Sequence, residues 1–99
     1  MMLTLDEVKA WIRQDSDEDD DLIRIIIGAA ETYLLNATGI KYDESNQLAK
    51  LYCLILCADW YENRTLIGQQ PSEKIRFVCQ SIMTQLQYAG SGGDGHGSG

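Results

Sequence analysis

The chain has 99 residues, 15 of them acidic and 8 basic, for a formal net charge of −7, and 44% of its residues are hydrophobic. That length fits one domain and excludes two, and the apolar content excludes a disordered chain. The negative balance counts against partners that are held by clustered Lys and Arg, namely nucleic acid and anionic membrane surfaces.

The first predicted helix runs from about Leu5 to Gln14. Thr4 is its cap, and Glu7 three residues later completes a capping box. Leu5, Val8, Trp11 and Ile12 form one apolar stripe. Six of the next seven residues, Asp15–Asp21, are acidic. Negative charge there suits the start of a second helix, expected from about Asp19 to Thr38, because the first N–H groups of a helix are unpaired and its dipole is positive at that end. Gly39 is its natural stop. Its aliphatic residues, from Leu22 to Ala37, cover far more than one stripe, so it needs more than one packing partner. Gly28 lowers helix propensity and marks a position for a close helix–helix approach.

The third helix is expected over about Asn46 to Asn63, capped by Ser45 or Asp43. Its centre, Leu51–Ala58, is apolar on every side, which predicts a buried central helix. Those eight residues fall well short of the roughly 20 needed to cross a bilayer. Thr65–Ser72 reads as a loop, marked by Gly68 and Pro71. A fourth helix follows from about Glu73 to Tyr88, with Ser72 as cap and a stripe of Ile75, Val78, Cys79, Ile82, Met83 and Leu86. Its other face carries Gln80, Ser81, Thr84 and Gln87, which is polar but uncharged, as wet protein interfaces often are. The segment Gly90–Gly99 holds six of the nine glycines and reads as a flexible tail, either a native extension or a cloning remnant. The expected fold is therefore all-α: a small bundle of four helices over residues 1–89, followed by a Gly-rich C-terminal tail over 90–99.

No pattern for chemistry is complete. A calcium loop beginning at Asp15 would need Gly at its sixth position and a bidentate Glu at its twelfth, where the chain has Asp20 and Ile26. Cys53 and Cys57 are four residues apart on a helix, but the sole histidine, His96, sits in the tail, so buried free thiols are favoured over a metal pair. No glycine loop for phosphate and no nucleophile–base arrangement is present. We expect no catalysis, no metal and no cofactor. Met1–Asp6 lacks the basic and apolar regions of a signal peptide, which predicts synthesis in the cytoplasm. A small regulatory or DNA-binding helical domain is the alternative. Its recognition helix would be the fourth, with Lys74, Arg76, Gln80, Gln85 and Gln87, and the acidic balance of the chain opposes it.

Three features in order carry a resemblance: LTLDEVKAWIRQDSDEDDDL over Leu3–Leu22, DDDLIRIIIGAAETYLLNATG over Asp19–Gly39, and WYENR over Trp60–Arg64. Over about residues 3–88 the chain resembles the head–tail connectors of tailed bacteriophages, also called head-completion or adaptor proteins. The positions that match are structural: Leu5, Val8, Leu22, Ile26, Ala30, Tyr33, Gly39, Trp60, Tyr61 and Arg64. The resemblance implies a helical subunit of a ring, usually a dodecamer, that sits in the virion beneath the portal protein. Such a ring extends the DNA channel, lets DNA pass without specific binding, and presents a surface to the stopper or tail-completion protein. Candidate partner-binding or channel-facing residues are Asp17, Glu18, Asp19, Asp20 and Arg24 at the start of the second helix, and Trp60, Tyr61 and Arg64 at the end of the third. The tail adds Gly90, Ser91, Gly92 and Gly93.

Overall fold

The computed structural model describes residues 2–92, with side chains described as far as Tyr88. Among these residues are four α-helices, α1 (Leu5–Ile12), α2 (Asp20–Thr38), α3 (Gln47–Glu62) and α4 (Glu73–Gly92), and a single 3-10 turn at Arg64–Leu66. No strand occurs among them.

The start of α1 is fixed as its sequence dictates. The Glu7 N–H donates to Thr4 Oγ1 at 3.1 Å, and the Thr4 N–H donates to Glu7 Oε1 at 3.0 Å. The helix ends two residues before the expected Gln14. Arg13 takes a left-handed conformation, with φ 61°, and its N–H returns to Ala10 and Lys9 carbonyls. Val8 is buried and Leu5 and Ile12 are partly so, but Trp11, expected in the same stripe, is 47% exposed.

The second helix buries Ile23, Ile26, Ile27, Ala30 and Leu34 against α1 and α3, so its wide apolar surface does meet two partners. Ile25 is left 63% exposed on the opposite side. Gly39 closes the helix at φ 73°, and its N–H reaches the Leu35 carbonyl at 2.7 Å. Gly28 does not mark a close approach inside this fold: a methyl group at its Cα would meet nothing within 4 Å.

The third helix is central and packs against α1, α2, α4 and the 3-10 turn. Tyr52, Cys53, Leu56, Cys57, Asp59 and Trp60 are all buried. Its cap is Asn46, whose side chain accepts the Ala49 N–H at 3.0 Å. Asp43, one of the two expected caps, instead accepts the N–H and hydroxyl of Ser45, the other, and folds the turn just before the helix. The three thiols are free and buried, and Cys53 Sγ donates to the Ala30 carbonyl at 3.8 Å. Burial pushes the Cys57 thiol up to about 12 and Cys79 up to about 11.

The fourth helix lays Cys79, Ile82 and Leu86 on α3. Its backbone continues through residue 92, four residues past the expected end at Tyr88 and into the segment read as tail. Residues 93–99, the rest of that segment, lie outside the described residues.

Replacing Gly28 by Ala should stabilise the protein by roughly 0.5–1 kcal/mol, because it adds helix propensity and meets open space. The measurement is the urea unfolding midpoint. A loss of stability would show that the helix needs glycine there.

Candidate functional site

The candidate residues lie where the start of α2 comes beside the ends of α1 and α3. Asp19 is the N-cap residue of α2 but makes no side-chain capping bond. Its carboxylate turns instead to α3: Tyr61 Oη donates to Asp19 Oδ2 at 2.5 Å. Gln14 Nε2 donates to Tyr61 Oη at 2.8 Å. Arg64 Nη2 lies 3.6 Å from the same Asp19 oxygen, and the guanidinium carbon stands 5.3 Å from the Tyr61 ring centroid. Three expected residues, Asp19, Tyr61 and Arg64, thus form one cluster. The hydrogen bond to Asp19 raises the Tyr61 phenol above its ordinary value.

Lys9 on α1 ties down Asp20 and reaches the exposed Asp17. Its ammonium is 2.8 Å from Asp20 Oδ1 and 3.3 Å from Asp17 Oδ1. The Asp20 hydrogen bond is the main reason that Lys9 is raised above its ordinary value. Glu18 stays exposed, and exposed Asp21 pairs with exposed Arg24 at 3.0 Å. Such surface pairs contribute little to stability. The acidic run is therefore anchored at Asp19 and Asp20, while the carboxylates of Asp15, Asp17, Glu18 and Asp21 face solvent.

Trp60 does not join this surface. It is fully buried, with its ring edge-on to Tyr33 at 5.7 Å and its Nε1–H donating to the Gln70 carbonyl at 2.8 Å. Gly90, Ser91 and Gly92 fall in the last turn of α4, away in sequence from the cluster, and Gly93 lies outside the described residues.

Sequence reasoning passed over Asp59. This carboxylate is 6% exposed, the one buried charge among the described residues. It accepts the Ser72 N–H at 2.8 Å and the Ser72 hydroxyl at 2.5 Å, with Asn63 Nδ2 at 3.3 Å. Ser72, expected as the cap of α4, thus spends its hydroxyl proton on α3. The signal was available: Asp59 is the one charged residue in the apolar stretch Leu51–Tyr61, and such a group needs partners. Lys50 was also missed. It binds Glu7 Oε2 at 2.6 Å, joins α3 to α1 and lowers the Glu7 carboxyl.

Chemically, these groups tie helix ends together and leave a negative ridge facing outward. Among the described residues no three His, Cys, Asp or Glu are placed to hold a metal ion, and no helix is long and apolar enough to cross a membrane. An open groove between α1 and α3 is lined by Ala10, Trp11, Leu51 and Leu54.

Two outcomes check this geometry. Asp59→Ala should cost about 1–3 kcal/mol by leaving the Ser72 donors unpaired, and Ser72→Ala should add little on top of it, because one interaction is lost in both. Additive losses in chemical denaturation would show that the pair does not interact. For Tyr61 the raised phenol means that its hydrogen bond stabilises the fold below the ordinary value near 10 and is lost as pH rises through the folded value. Asp19→Asn should bring one tyrosine titration back to lower pH in ultraviolet titration. An unchanged curve would reject the contact.

No curated protein and no solved structure matches the chain. The family model of phage gp6-like head-tail connector proteins matches residues 2–87, which is nearly all of the described chain, four helices and both ends of the Asp19–Tyr61–Arg64 cluster included. The chain belongs to the phage gp6-like head-tail connector family.

Proposed function

We propose that this protein is a structural subunit of a closed ring, a dodecamer as in the connectors it resembles, that docks beneath the portal, extends the DNA channel and joins the head to a stopper or tail-completion protein. The match over residues 2–87 carries this reading, since the family is one of structural connectors between head and tail. The place of action is the head–tail interface of the virion, reached by assembly in the host cytoplasm.

Two properties of the chain support the finer reading. A net charge of −7, repeated around a ring, multiplies the negative field, and like charge keeps DNA from adhering to the wall it passes. The exposed carboxylates of Asp17, Glu18 and Asp21 are suited to such a wall or to a basic patch on a neighbour. Apolar side chains left in solvent, Trp11 and Ile25 among them, suit a protein completed by contacts with others. The glycine-rich end from Gly90 onward is offered to the portal.

Removal of the gene should yield DNA-filled heads without tails, and labelled antibody should mark the head–tail junction of complete particles. Tailed, infectious particles without the protein would reject the reading. Changing Asp17, Glu18 and Asp21 together to Asn should leave the fold intact and lower infectivity through impaired genome passage or docking. Wild-type titre would remove the acidic ridge from the function.

A further inference from the structure

Two helix faces that point away from the core carry matching patterns. On α2, opposite the buried Ile26 and Ala30, stand Asp21, Ile25, Gly28, Thr32 and Leu35. On α4, opposite the buried Cys79 and Leu86, stand Lys74, Phe77, Ser81, Thr84 and Tyr88. Both rows advance by alternating steps of three and four, the spacing with which side chains of one helix mesh into another. Each row has an apolar knob in solvent: Ile25 at 63% and Phe77 at 81% exposed.

Gly28 lies in the α2 row, and a Cβ there would meet nothing within 4 Å in this molecule. Its cost in helix propensity thus has no return within one copy. On an outer face, a missing side chain is a dent into which a second helix can fit. Charge supplies the direction. The α2 row begins at the end of the acidic run, with Asp21 exposed, whereas the first turn of α4 carries Lys74 and Arg76 against Glu73.

We propose that the outer face of α2 in one copy binds the outer face of α4 in a second copy, with the two helices parallel, Phe77 seated against Ile25 and the dent at Gly28, and Lys74 beside Asp21. This rests on the connector reading, in which copies join through two different faces, as a ring requires. An antiparallel arrangement would carry Lys74 away from the acidic run toward Leu35, so the charges select the parallel one.

The test is sedimentation velocity of the full chain from micromolar to millimolar concentration. Wild type should associate beyond a dimer. Ile25→Asp and Phe77→Asp should each weaken association by about tenfold or more, since each places a charge at the centre of the contact. Both residues are exposed, so helicity and unfolding midpoint should not change. Gly28→Leu should act in the same way by filling the dent. An equal mixture of the Ile25→Asp and Phe77→Asp variants should give a heterodimer that grows no further, because each variant keeps one intact face. Lys74→Glu should weaken association, and Asp21→Lys in the other copy should restore it. The proposal is overturned if one variant assembles as wild type does, if the mixture forms no heterodimer, or if the charge exchange restores nothing. A wild-type chain that stays monomeric throughout overturns it as well. None of these results bears on the presence of the protein at the head–tail junction, which the particle experiment reads separately.

Discussion

The carboxylate of Asp59 leaves water at the end of the central helix, and its burial is tolerable only if donors meet it there. Ser72 supplies two and Asn63 a third. One residue later, Trp60 fills the space against Tyr33 and donates its indole N–H to the Gln70 carbonyl. Both ends of the connection from α3 to α4 are thereby fixed to the same turn of α3. The position of Ser72 sets where α4 begins, and so which of its faces meets α3 and which faces solvent. The exposure of Phe77 and the burial of Cys79, Ile82 and Leu86 follow from that single joint.

The second constraint is electrostatic. Six carboxylates in seven residues repel one another, and a helix N-terminus alone offsets that only partly. The fold draws in cations and donors from elsewhere: Lys9 from α1, Tyr61 from the end of α3 and Arg64 from the 3-10 turn that follows it. Because these partners come from three segments, the acidic run helps to fix their relative placement. The carboxylates of Asp15, Glu18 and Asp21, with that of Asp17 beside Lys9, face outward and add negative charge to the surface.

Size explains what is left over. A domain this small lacks the interior volume to cover all its apolar surface. Trp11, Ile25 and Phe77 stay in solvent on α1, α2 and α4. Membership of a connector family gives that surplus a natural use, since a part that joins other proteins keeps apolar surface for its partners. The glycine in the middle of α2 belongs to the same account: it weakens the helix and relieves no crowding inside the molecule.

The amino-acid sequence by itself determined the four helices in order, the Thr4–Glu7 box, the stop at Gly39, the central place of α3 and the family. All but the family, which rests on three segments in order along the chain, depend on near neighbours: capping, propensity and apolar periodicity act over a turn or two. The side of Trp11 and Trp60, the turn of Asp19 toward Tyr61 instead of its own helix, and the role of Asp59 were decided by tertiary structure alone. Trp11 read as part of an apolar stripe and Trp60 as a candidate partner-binding residue, yet the first is about half exposed and the second sealed, because exposure depends on which segments arrive from elsewhere. Local pattern says that a residue is apolar or charged, and only the packing of distant segments says what stands across from it.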